Sequence, residues 1–215
     1  MSDPKSIFII GGSAGAKIAT EIFSKTHPQH ILYYVECFAE EIVINRLYST
    51  VDKCLDHLLL PNVDYFIATG DNKMRQQHYE LIKNHTKKEP LNCIHPSAVV
   101  SSKRIGNGNL ICPNAVIHVD AEIGDCTIIN TGSIIEHDCL VEDFSQISPN
   151  ATLCGYVRVG KKCFISASAT IIPKITIGDE SVVAAGSVVI EDVPPYVLVA
   201  GAPSKIKKHY KNEKI

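Results

Sequence analysis

Residues 129–147 read INTGSIIEHDCLVEDFSQI, with an aliphatic side chain at every sixth place: Ile129, Ile135, Val141 and Ile147. The same period runs back through Ile123, Ile117, Ile111 and Ile105, and on through Leu153, Val159, Ile165, Ile171, Ile177, Val183 and Val189. Four places after each aliphatic residue the side chain is mostly small: Ala115, Ala121, Thr127, Ser133, Cys139, Ser145, Ala151, Cys163, Ala169, Ser181 and Ser187. Asn109, Val157 and Ile175 depart from that rule. A period of six matches neither an α-helix nor a plain strand. It predicts a parallel β-helix whose triangular coils have six residues to a face. The aliphatic residue points inward, and the small one is expected where the chain turns tightly. Coils about 4.8 Å apart then bury a continuous ladder that no single coil could bury alone. From Ile105 to Val189 this makes between four and five coils of eighteen residues.

The chain before the repeat reads differently. SIFIIGG is an apolar strand entering glycines, and SAGAKIATEIF follows it with helical spacing. HILYYVE is a second strand ending near Glu36, STVDKCLDHLL a short helix with Ser49 or Thr50 near its cap, DYFIATG a third strand, and DNKMRQQHYELIKNH a polar-faced helix. Alternating strands and helices imply a small parallel sheet of Rossmann type. The turn Gly11, Gly12, Ser13, Ala14, Gly15, Ala16 misses the GxGxxG spacing of dinucleotide sites. It reads equally as an anion site ahead of a helix and as a tight packing turn. The expected division is residues 1–90 for this α/β domain, 91–193 for the β-helix, and 194–215 for a C-terminal tail. That tail breaks the period at Pro194 and Pro195 and reads as basic, helical or frayed.

Composition narrows the functional classes. The chain has 215 residues, 45% hydrophobic and 20% charged, with a formal net charge of -2. That balance gives no general basic field for nucleic acid, and no apolar run is long enough to span a membrane. MSDPKSIFII does not read as a secretion signal, so a cytoplasmic location is expected. The cysteines are Cys37, Cys54, Cys93, Cys112, Cys126, Cys139, Cys154 and Cys163, without a CxxC pair. They are expected as free thiols packing as small hydrophobes. The repeat offers only His118 and His137 as imidazole ligands, too few for a three-histidine zinc site, and no metal is expected.

Read alone, His137 is either a surface histidine or a catalytic one. The repeat itself resembles the hexapeptide-repeat acyltransferases, a resemblance that implies a left-handed β-helix and a homotrimer with active sites between subunits. A narrower resemblance rests on IIGGSAGAKIA, GDNKMR, HPSAVVS, NTGSIIEHDCLVEDFSQISPNATLCG and DVPPYVLVAGAPSK. Together these are similar to bacterial enzymes that N-acetylate nucleotide-linked amino sugars, with sialic acid O-acetyltransferases as relatives. The resemblance implies acetyl-CoA as cosubstrate and a nucleotide-linked amino sugar as acceptor. It implies His137 as general base, Asp138 as the carboxylate that orients it, and Asn130 near the reacting groups. Gly155 is implied as the oxyanion donor, Ala185 and Gly201 as borders of the CoA arm, and Gly11, Gly12, Ser13, Ala14, Gly15 and Glu36 as the nucleotide-sugar site. Two positions depart from the family: Gln146 replaces a second histidine, and Ala14-Gly15 replaces a Gly-His pair.

The chemistry agrees with those residue types. Acetyl transfer needs an acceptor relieved of its proton, a polarised thioester carbonyl and alignment. An imidazole titrates near pH 6.5, close to neutrality, and general-base help is typically worth about 10²–10⁴-fold. A backbone N–H aimed at the carbonyl oxygen supplies the second requirement. Glu136 and Asp138 flank His137, and in extended chain adjacent side chains point apart, so only one of them can share its geometry. An acyl-cysteine route through Cys139 or Cys154 is disfavoured because Cys139 occupies a small, packed position. O-acetylation of a sialic-acid-like sugar and a catalytically silent trimeric scaffold stand as the alternatives.

Overall fold

The computed structural model describes residues 5–12, 14–37 and 46–210. The chain divides into two compact units, Met1–Pro96 and Ser97–Ile215. Among the described residues no helix is long and apolar enough to cross a membrane.

The first unit is an α/β sheet. Its strands are β1 (Ser6–Gly12), β2 (Ile31–Cys37), β3 (Arg46–Tyr48) and β4 (Val63–Ile67), all parallel, in the order β3-β2-β1-β4. Ile7, Phe8, Ile9 and Ile10 are all buried, as expected of a central parallel strand covered on both faces. Helix α1 (Ala14–Thr26) buries Ala16, Ala19, Ile22 and Phe23. The stretch expected as one short helix is a 3₁₀ turn at Val51–Cys54 running into α2 (Leu55–Leu58). Helix α3 (Asn72–Thr86) starts where the Met74 N–H donates to Asp71 Oδ1 at 2.7 Å, and ends at Lys87 in the left-handed region. Three strands were expected, and among the described residues the sheet has four. The addition, β3, is a three-residue edge strand too short to carry an alternating pattern.

The chain order reverses between β1 and β4, since β2 and β3 are added on one side of β1 and β4 on the other. At that switch point the backbones come close. A Cβ on Gly11 would lie 2.8 Å from Thr69 Oγ1, and one on Gly15 would lie 2.2 Å from the Ala68 carbonyl oxygen.

The second unit is a parallel β-solenoid of three faces. One face carries two-residue strands from Val99–Val100 to Val188–Val189, the second from Arg104–Ile105 to Thr176–Ile177, and the third from Leu110–Ile111 to Val182–Val183. Partners lie eighteen residues apart, as in Ile135 with Leu153 and Ile147 with Ile165. Val99–Val100 pairs with Val116–Ile117, so the solenoid begins before the regular period does. Of the aliphatic ladder, every member from Ile111 to Val189 is buried, and Ile105 is half-buried. Burying one such side chain contributes roughly 1.5–3 kcal/mol.

The turns lie one residue earlier than the repeat suggests. Three places after each aliphatic residue from Ile105 to Val183 the backbone is left-handed, with φ from 51 at Cys126 to 73 at Gly108. The small residue that follows is not the turn but a second inward position. The corner N–H bonds to the coil before it (Asp138 N–H to Val119 O, Tyr156 N–H to His137 O), whereas strand N–H groups such as Ile134 and Glu136 bond to the coil after. Asn109 fits inside because its Oδ1 accepts from both the N–H and the hydroxyl of Thr127, at 2.7 and 2.8 Å.

The C-terminal stretch is neither helical nor frayed through His209. Val197–Gly201 adds in parallel to Val182–Val183, and Ser204–His209 turns back on it as an antiparallel strand. Val197 and Val199 are buried with Leu198 half-buried between them, so the period-two pattern of VLVAG continues the third face after the period of six ends.

Gly15→Ala drives a Cβ into a backbone oxygen and is expected to cost at least about 1–3 kcal/mol. Gly70→Ala, with no neighbour within 4 Å of the added Cβ, should change little. Thermal unfolding of both variants checks the contact, and equal melting temperatures would contradict it.

Candidate active site

The corner after the Val99–Val189 face carries the chemistry-bearing side chains. His137 is two places after the inward Ile135, and Asp138 is the corner residue itself, at φ 57. Left-handed backbone turns the Asp138 side chain back toward its neighbour. Its Oδ2 lies 2.8 Å from His137 Nδ1. Of the two flanking carboxylates, this is the one that meets the ring, because only Asp138 lies at a corner. An ionised carboxylate only accepts, so Nδ1–H is the donor and the Nε2 lone pair is left for other work. The His137 and Asp138 side chains are 45% and 40% exposed, so the pair is open to solvent or ligand.

Gly155 lies one coil on, eighteen residues after His137. A Cβ there would stand 2.8 Å from Cε1 and 2.9 Å from Nε2 of the imidazole, so the ring occupies the space that a side chain would need. The Gly155 carbonyl accepts from the Lys174 N–H at 3.1 Å, while its own N–H has no acceptor among the described residues. At corners of the second face the equivalent N–H is taken by an aspartate of the next coil, as in Asn107 to Asp125 and Lys161 to Asp179. Two further rings border the imidazole. Tyr156 stands perpendicular to it at 5.3 Å between centroids, and His118 lies 6.4 Å away at 75°.

His137, Asp138 and Gly155 are thus brought together; the other expected residues of the solenoid are not. Asn130 lies near the preceding corner, a face away, where its Oδ1 accepts from the Thr131 N–H at 2.8 Å. Ala185 and Gly201 come side by side two residues past the pairing of Val183 with Val199, again on the third face. Gly201, at φ 109, donates its N–H to Ser187 Oγ at 3.1 Å. Gln146 is on the third face as well, opposite Ile128 and Phe164.

In the α/β unit, Gly11 (φ 108) and Gly12 end β1, Ala14 and Gly15 open α1, and Glu36 stands beside Gly11 by strand register. Ser13 lies outside the described residues. Close packing on Ala68 and Thr69 accounts for Gly11 and Gly15 directly. The sequence reading did not single out the loop they pack on. There Thr69 Oγ1 is 3.0 Å from His78 Nδ1, and the buried Arg75 guanidinium donates to the carbonyls of Thr69 and Gly70 and to Asn72 Oδ1. Polar residues at helical spacing after GDNKMR were the available sign. Among the described residues no group of three or more metal-ligating side chains forms.

The perosamine N-acetyltransferase of Caulobacter crescentus, crystallised with CoA and GDP-perosamine as a histidine variant, is 33% identical, with a TM-score of 0.86 over 94% of this chain and 97% of that one. The chain belongs to the hexapeptide-repeat sugar acyltransferases. It is an acetyltransferase. The bacterial transferase hexapeptide model (six repeats) matches residues 156–191. The acetyltransferase domain of PglB from Neisseria gonorrhoeae, in complex with acetyl coenzyme A, is 26% identical to this acyltransferase at a TM-score of 0.87, covering 95% and 100% of the two chains. WeeI from Acinetobacter baumannii, 22% identical, shares its fold at a TM-score of 0.73.

The buried thiols of the solenoid are poor nucleophiles. Burial pushes Cys112 and Cys139 up to about 11 and Cys163 to about 12, and raises Cys154 as well. With a value near 11, only about one thiol in a thousand is ionised at pH 8. Iodoacetamide at neutral pH should therefore leave Cys112, Cys139 and Cys163 unlabelled until the chain is denatured, as read by peptide mass spectrometry. A thiol whose value is raised by folding stabilises the fold below the ordinary value of 9.0 and ceases to do so as pH rises toward 11–12, so thermal stability should fall across that window.

Proposed function

We propose that this acyltransferase moves the acetyl group of acetyl-CoA onto the amine of a nucleotide-linked amino sugar, with His137 as general base. The observation that carries this reading is the single corner at which a carboxylate-oriented imidazole lies against a glycine whose N–H is unengaged. Acetyl-CoA supplies an activated acyl group with a thiolate leaving group. His137 Nε2 takes the proton of the amine as nitrogen bonds to the carbonyl carbon. Asp138 holds the opposite ring nitrogen and stabilises the imidazolium that forms. The Gly155 N–H donates to the carbonyl oxygen as it gathers negative charge. When the C–S bond breaks, the imidazolium returns the proton to the departing sulfur, which leaves an amide, free CoA and the enzyme as it began.

The acceptor's nucleotide is assigned to the carboxyl edge of the first sheet, at Gly11, Gly12, Ser13, Ala14, Gly15 and Glu36. Open α/β sheets take ligands at the carboxyl ends of their strands where the strand order reverses, and this supports a Rossmann-like role for residues 1–90. The reading extends to a left-handed coil for residues 91–193 and to a cytoplasmic homotrimer. In it Asn130, Ala185 and Gly201, which lie a face away from His137 in one chain, border the site from a neighbouring subunit. Family membership and the GDP-perosamine found with the Caulobacter relative make GDP-perosamine the first acceptor to test.

Thiol release from acetyl-CoA should be confined to amino sugars in a panel of UDP-, dTDP- and GDP-linked sugars and their hydroxyl counterparts. His137→Ala should lower kcat by about 10²–10⁴-fold. Gly155→Ala, which crowds the ring, should fall at least as far while the fold is retained by circular dichroism. Turnover on hydroxyl sugars alone, or full turnover by His137→Ala, would sink the reading.

A further inference from the structure

Tyr156 is a bulky residue in the left-handed region, at φ 65, and its side chain is not hidden by that strain: the residue is 51% exposed. Phe144, another aromatic corner residue, is by contrast buried at 7%. Packing within the solenoid therefore explains Phe144 and does not explain Tyr156. What Tyr156 does touch is His137. Its N–H donates to the His137 carbonyl at 3.1 Å, so the bond that stacks one coil on the next also sets where the phenol ring starts. The ring then stands at 90° to the imidazole. From the preceding coil the exposed His118 presents a second ring to the same imidazole, with its own backbone held by the bond from His118 N–H to Ile135 O.

A half-exposed histidine at a corner has several staggered rotamers open to it. Here Gly155 lies against the ring, Asp138 holds Nδ1, and rings from the coils before and after stand edge-on to the imidazole. We infer that Tyr156 and His118 are positioning residues for the transfer reaction: they hold the His137 imidazole in the one rotamer that keeps Nδ1–H on Asp138 and Nε2 beside Gly155. The inference rests on His137 as general base. It requires the aromatic ring at position 156 and not its hydroxyl.

Tyr156→Ala should lower kcat about tenfold, the order expected when a catalytic group loses alignment, with KM for acetyl-CoA and for the acceptor within about twofold. Tyr156→Phe should restore most of that loss, and His118→Ala should move kcat in the same direction. The His137 Hε1 proton resonance, assigned by its disappearance in His137→Ala, gives a readout without turnover. It should shift in Tyr156→Ala and return in Tyr156→Phe. The inference is overturned by a wild-type kcat and unmoved resonance in Tyr156→Ala, by a Phe variant as impaired as Ala, or by an effect confined to KM for acetyl-CoA. It is likewise overturned if kcat falls only where gel filtration shows the assembly lost. Full activity in His137→Ala with a shifted resonance in Tyr156→Ala would remove the general-base reading while leaving the ring contact standing, so the two failures are distinct.

Discussion

The corner hydrogen bond organises the second unit. Strand N–H groups bond to the following coil, and the chain can bond to the preceding coil as well only if the peptide is turned over once per face. A left-handed residue at each corner does this, with Asp138 N–H on Val119 O and Tyr156 N–H on His137 O as two instances. Left-handed backbone costs a non-glycine residue roughly 1–2 kcal/mol, which the bond and the burial of the next inward side chain offset. Glycine is used at three corners, Gly108, Gly132 and Gly186, and the others accept the strain.

The same turn makes the geometry of the candidate site. In a flat strand His137 and Asp138 would point to opposite sides. With Asp138 at φ 57 they meet at 2.8 Å, so a structural necessity of the coil also serves as the orienting device of the imidazole. The exact eighteen-residue return then brings Gly155 under the ring. Stacking alone dictates that something stands there, and only the lack of a Cβ lets the imidazole lie where it does. An adjacent pair such as Glu136 and His137 has no corner between its members and cannot do the same.

The two units place glycine under different constraints. In the solenoid Gly106, Gly124 and Gly160 make room for an aspartate of the next coil, which caps an N–H that the ladder leaves over. In the α/β unit Gly11 and Gly15 make room for the backbone at the end of β4. The buried Arg75 ties that loop down through the carbonyls of Thr69 and Gly70.

Periodicity was legible because it reports burial directly: each sixth side chain is inward, and the ladder from Ile111 to Val189 is buried throughout. The alternating strands and helices before it were legible for the same reason, while the motif that singles out His137 supports its role only as a proposal. The sequence by itself therefore determined the solenoid and the parallel sheet. The corner's location one residue before the small position was not legible, because Asn, Asp, Lys, Glu, Tyr and Phe share no chemistry that marks φ above zero. Nor was the short edge strand β3, or the pairing of Val197–Gly201 once the period of six had stopped. Which carboxylate meets His137, and which rings stand beside it, only the tertiary structure decided. Those contacts join residues one coil apart, and their geometry depends on a backbone conformation and a stacking register that no local pattern of side chains encodes.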